Sequence, residues 1–143
     1  MSLLEFLFPG LNAYGSGSIP MWEDPQRPWS VLEKSRFGLI SQIVEITGAE
    51  DGVLIDESAV IGEFVKIEGP CIIGPNAIIK HSAFIRAGSW ICEGAVVGHS
   101  SEIKNSVLLP NSKAPHFNYV GDSIIGIETN LGAGAKLSNV RND

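Results

Sequence analysis

The sequence predicts a mainly β chain: a single-stranded, left-handed parallel β-helix preceded by a short helical arm. Three observations predict it. Counting in sixes from Ile55 gives Ile61, Ile67, Ile73, Ile79, Ile85, Ile91, Val97, Ile103 and Leu109, ten aliphatics in all without a miss. Four residues after most of them stands a small or compact side chain, as at Ala59, Cys71, Ala77, Ala83, Ser89, Ala95 and Ser101. Glycine often follows the aliphatic directly, at Gly62, Gly74 and Gly98. A helix face recurs near every 3.6 residues and a strand face every second residue, so neither produces this beat. A coil of three short straight faces does: each hexad is one face, its aliphatic points inward, and the small residue fits near a corner. Three hexads make a turn of eighteen residues, and turns stack at the strand spacing of ~4.8 Å.

Residues 1–50 do not share the beat. Ser2 to Phe8 reads as a short helix stopped by Pro9-Gly10. From Asn12 to Pro28 the Gly/Ser run at Gly15–Ser18 and three prolines predict an extended, irregular path, anchored by Trp22 and Trp29. Ser30-Val-Leu-Glu33 is a capping-box pattern, and Leu32, Leu39, Ile43 and Ile46 follow on one helical face. The expectation is a helix over 30–47, stopped at Gly48, with its apolar face on the coil or on a neighbouring subunit. The division is therefore a 1–50 arm with a linker-like helix and a 51–143 β-helix. A coil ending at Asp143 would present an open strand edge, so a longer chain or a partner is expected to cover that end.

At 143 residues the chain is one ordinary domain. A net charge of −6 without a run of Lys or Arg argues against a nucleic-acid or anionic-membrane partner. The start, MSLLEFLF, has no basic residue ahead of its apolar run and Glu5 interrupts it. That pattern is neither a signal peptide nor a spanning segment, and a cytoplasmic location is expected. Cys71 and Cys92 match no zinc spacing and read as reduced, packed thiols.

A coil makes residues eighteen apart vertical neighbours. Glu68, Arg86 and Lys104 then share one column, and His81 and His99 another. For the first column, one reading has Glu68 neutralise Arg86 while Lys104 reaches into water. The other has Arg86 and Lys104 anchor a phosphate, a guanidinium fork beside a point charge. For the second, the readings are a solvated stacked pair or, with His116, three imidazoles holding a metal and an activated water.

The beat stumbles once. Leu109 to Ile125 takes sixteen residues where three hexads would take eighteen, and the beat then resumes through Leu131 and Leu137. A local deletion tightens a corner and turns polar side chains off the regular faces. His116, Asn118, Tyr119 and Asp122 are so displaced, and Asn130 and Asn139 follow.

The stretch KAPHFNYVGDSIIGIETNLGAGAKLSN, Lys113 to Asn139, resembles the C-terminal acetyltransferase domain of the bifunctional bacterial enzyme that makes UDP-N-acetylglucosamine. It is also similar to the β-helical tails of related sugar-phosphate nucleotidylyltransferases. The resemblance implies a homotrimer with ligand sites between neighbours, acetyl-CoA as co-substrate and a sugar phosphate or sugar nucleotide as substrate. It implies His116 as general base, which suits an imidazole at neutral pH. It places Arg86, Lys104, Tyr119 and Asn130 on substrate-binding positions and Ala133 and Asn139 on positions that touch the acyl-CoA. Two departures stand beside it: Ala135 replaces a threonine, and the segment Asn139-Val-Arg-Asn has lost a tyrosine and a glycine. The second departure is typical of the nucleotidylyltransferase tails, and residues 1–50 carry no Gly-rich nucleotide fingerprint. The alternative reading is accordingly a non-catalytic module that oligomerises or binds a sugar phosphate.

Overall fold

The computed structural model describes residues 1–140. From Val53 to Leu137 the chain winds through about five turns of a parallel β-solenoid with three faces. The first face stacks Val53–Ile55, Cys71–Ile73, Ser89–Ile91, Val107–Leu108 and Ile124–Ile125. The second stacks Val60–Ile61, Ile78–Ile79, Val96–His99 and Lys113–His116. The third stacks Lys66–Ile67, Phe84–Ile85, Glu102–Lys104, Tyr119–Gly121 and Lys136–Leu137.

The interior is the column of aliphatics that the beat requires. Ile73, Ile79, Ile85, Ile91, Val97 and Ile103 are fully buried, with Cys71, Ala77, Ala83 and Ala95 filling the narrow corners. Each such isoleucine contributes about 1.5–3 kcal/mol by leaving water. Burial pushes the Cys71 thiol of this lining up to about 11, and that of Cys92, packed outside the coil against the arm, higher still, so both stay protonated, and both are free.

The tenth aliphatic of the sequence count is corrected by the structure. Leu108, not Leu109, faces the interior; Leu109 packs outward with the arm. Five residues lie between the inward Ile85 and Ile91, but four between Ile103 and Leu108 and four between Val120 and Ile125. The expected shift of two is thus two deletions of one residue, one turn apart, at the same corner. Register confirms it: Trp90 pairs with Val107 and Val107 with Ile124, seventeen residues apart, where Ile72 and Trp90 are eighteen apart.

The arm also departs from expectation. Helix α1 spans Leu3–Leu7, and its capping box is Ser2 with Glu5. The expected helix over 30–47 is instead a 3-10 turn at Pro28–Leu32, a bend, and helix α2 at Leu39–Thr47 with Gly38 and Gly48 as caps. Ser30 therefore caps nothing. Val31, Leu39 and Ile43 must all reach the outer surface of the first face, against Ile72, Trp90 and Val107, and one straight helix does not place them there. The arm thus packs on its own coil. Trp22 joins that cluster, donating its indole N–H to the Pro28 carbonyl at 3.0 Å, while Trp29 is half exposed.

Candidate functional site

The sequence-selected residues fall on the two corners that bound the third face. The leading corner joins the second face to the third and carries a ladder of imidazoles. His81 and His99 stack with ring centroids 5.6 Å apart and planes at 11°. His116 stands 5.6 Å beyond His99, edge-on at 64°. Each histidine is followed by a residue with left-handed φ: Ser82, Ser100 and Phe117 at 62°, 56° and 50°. That conformation turns the chain sharply and throws the preceding side chain outward. Phe117 then lies edge-on against His99 at 4.4 Å. The rings run in a row; among the described residues no three His, Cys, Asp or Glu side chains gather as a metal-ligand set.

Beneath the ladder, Asn118 is buried and saturated. Its Oδ1 accepts the His116 backbone N–H at 2.9 Å, and its Nδ2 donates to the carbonyls of Gly132 and Ala135 at 2.9 and 3.2 Å. One amide thus ties His116 to the turn that contains Ala133. The Lys113–Asn130 bridge sets an offset of seventeen residues, which puts Ala133 opposite His116. Gly134 closes the link by donating its N–H to the His116 carbonyl at 2.9 Å. Gly132 and Gly134 have open space where a Cβ would stand, so the backbone of this turn is accessible to a ligand. Asn130 and Ala133 are both exposed.

The trailing corner joins the third face to the first, and both deletions lie in it. Arg86 and Lys104 are vertical neighbours as expected, but their partners are not. Arg86 reaches diagonally to Glu102 at 2.9 Å, Lys104 pairs with Asp122 at 3.3 Å, and Glu68 turns to Lys66 at 3.5 Å. The reading in which Glu68 neutralises Arg86 and Lys104 stays solvated is therefore corrected: a long side chain spans a diagonal as easily as a rung. Gly121 continues the column, and a Cβ there would meet the Tyr119 ring at 2.7 Å, so Tyr119 lies over the column beside Lys104. Burial alone would raise the Asp122 pKa. Hydrogen bonds from Asn105, Asn139 and Lys104, with the Lys104 charge, outweigh it and hold Asp122 below the usual carboxylate range. Asn139 thus comes near Asp122; Arg141 and Asn142 of its motif lie outside the described residues.

A cavity of about 510 Å³ opens here, with Arg86, Lys104, Asn105 and Asp122 on the coil side and Leu32 to Ser35, Ile40 and Ser41 on the arm side. His116 does not line it. Within one chain His116 and the Arg86/Lys104 column occupy opposite edges of one face, with Tyr119 between. The contribution of the arm was not read from the sequence. A signal for it was Gly38, which caps α2 and so parts residues 28–37 from the helix.

Fold and corners together define a β-solenoid with a ligand-sized recess, lined by both charged and apolar side chains, on one edge and a histidine ladder on the other. The family model described as the GMPPB C-terminal domain matches residues 67–141. The bifunctional protein GlmU of Methanococcus vannielii is 39% identical over 147 residues, covering 98% of this chain and 36% of that protein. GlmU of Methanocaldococcus jannaschii is 39% identical, covering 85% of this chain and 32% of that protein. A bifunctional sugar-1-phosphate nucleotidylyltransferase/acetyltransferase of Sulfurisphaera tokodaii is 34% identical over the same shares, 85% and 32%. The chain belongs to the GMPPB C-terminal domain family, within a group of transferase-type proteins. It spans about a third of the length of the curated relatives it matches. No helix of the described residues is long and apolar enough to cross a membrane.

Proposed function

We propose that this chain is an acetyl-CoA-dependent N-acetyltransferase module acting on an amino-sugar 1-phosphate or sugar nucleotide, with His116 as general base. The observation that carries it is the tie from His116 through Asn118 to the open Gly132-Ala133-Gly134 turn. An imidazole held beside an accessible backbone suits attack of an amine on a thioester. His116 takes the amine proton, the C–N bond forms, and the tetrahedral oxyanion collapses with loss of the CoA sulfur. Acetyl-CoA supplies the acetyl group, and Ala133 and Asn139 are the residues that would lie along it. Arg86 and Lys104 hold the phosphate, with Tyr119 and Asn130 along the sugar. The arm covers the first face, so the expected homotrimer would join through the other two and could bring one copy's recess to another's ladder.

The test incubates the protein with acetyl-CoA and glucosamine 1-phosphate and follows released thiol; the buried Cys71 and Cys92 add little background. Turnover that falls about 100-fold or more in His116→Ala supports the proposal. No thiol release by the unaltered protein overturns it. One observation favours the second reading, a sugar-phosphate-binding tail without catalysis: the recess is complete without His116. Binding of the sugar phosphate with no binding of CoA would select that reading.

A further inference from the structure

The recess at the trailing corner has a wall that the coil does not supply. Six charged side chains line it: Glu33, Lys34, Glu68, Arg86, Lys104 and Asp122. Five are already paired. Glu33 is held by Arg27 at 3.0 Å and Glu68 by Lys66 at 3.5 Å, both cations lying outside the recess. Arg86 and Lys104 have Glu102 and Asp122. Lys34 is the sixth, and among the described residues it forms no ion pair. With every lining carboxylate ion-paired, the recess keeps one ammonium, Lys34 on the arm side, that has no ion-pair partner among the described residues. Leu32, Ile40 and Ala87 give it a non-polar surface as well. Its volume of about 510 Å³ lies within the usual range of small-molecule sites.

The arm wall is fixed in place. The Asn105 side-chain amide donates to the Leu32 carbonyl at 3.0 Å and to Asp122 Oδ1 at 2.8 Å, so the bend carrying Lys34 is latched to the coil next to Lys104. Gly88 permits that approach. A Cβ there would stand 2.7 Å from Asn105 Oδ1 and 3.1 Å from Ile40 Cγ1, at a φ of +83°.

We propose that the arm is part of the binding site: a phosphate-bearing ligand bridges Lys34 of the arm to Arg86 and Lys104 of the coil. Lys34 is then a specificity residue for the anion, and the apolar strip takes the uncharged body of the ligand. This rests on the sugar-phosphate reading of Arg86 and Lys104 given above.

Calorimetry on the full chain tests it, with glucosamine 1-phosphate and inorganic phosphate as separate probes. Lys34 is exposed, so its substitution leaves folding intact. Lys34→Ala should bind both probes about three- to ten-fold more weakly and Lys34→Glu more than about ten-fold, since a charge-assisted contact is lost or reversed. Lys80→Ala, on the second face, should bind as the unaltered chain does. If both Lys34 variants bind like the unaltered chain while Arg86→Ala binds weakly, the arm's role is overturned and the sugar-phosphate reading stands. If the unaltered chain binds neither probe, both fall.

Discussion

The two corners of the third face are built from one repeat and come out opposite in character. The leading corner is a row of imidazoles with the Phe117 ring edge-on against His99. The trailing corner is ion-paired, one residue shorter in its last two turns, and roofed by the arm. Left-handed φ does not separate them, for both corners use it: Ser82, Ser100 and Phe117 on one, Gly88, Asn105 and Asp122 on the other. What differs is whether anything lies across the column. A solenoid repeat fixes which side chains stack; the chemistry of a stack depends on what comes to cover it.

The largest effect is expected where the leading corner is tied from inside. Asn118→Ala strands the His116 N–H and takes one of two donors from each of the Gly132 and Ala135 carbonyls, and should cost about 2–4 kcal/mol in thermal or denaturant unfolding. An unfolding midpoint equal to that of the unaltered protein would mean that the backbone stack alone holds this corner. Next comes Asp122→Ala, which removes the shared acceptor of Lys104 and Asn105 and should cost about 1–3 kcal/mol. Asp122 has a lowered folded-state pKa, so its contribution is complete above the unfolded value of about 3.9 and is lost as pH falls through the folded one. Asp122→Asn should flatten the acid side of the stability profile; an unchanged acid slope would remove Asp122 as its source. Gly88→Ala forces a Cβ into the arm contact at positive φ and should cost about 1–2 kcal/mol, with α2 loosened in amide exchange. Smallest is His81→Ala, an exposed ring at the end of the ladder, which should change stability by less than about 0.5 kcal/mol. A larger loss would show the ladder to be a structural spine, not a surface row.

Much of the coil was legible in the sequence, since its period has no other physical source. Nine of the ten counted aliphatics, Ile55 to Ile103, keep their phase against the strand register. The tenth failed for a local reason. Val107-Leu108-Leu109 offers an aliphatic at every phase, so a missing residue upstream left no gap in the count. The columns were legible, but their partners were not, because spacing gives the rung and says nothing of diagonals such as Arg86 to Glu102. The arm was least legible. A capping box at Ser30 is satisfied only if the chain continues as a helix, and packing against Trp90 decided otherwise. The recess inherits that failure, because half of its wall is arm.

Trp90 and its neighbours on the first face carry one more consequence. The arm lies along Ile72, Trp90, Val107 and Ile124, one residue from each of four successive turns. A bare stack of turns comes apart ply by ply, since each ply holds only its neighbours. A splint glued across four plies removes that option: opening any one seam must also tear the splint. Leu54, the corresponding residue of the first turn, is left outside it and half exposed, as are Ile55 and Ile61. The four splinted turns are therefore a laminate that opens as one, and the first turn is a leaf left outside the glue.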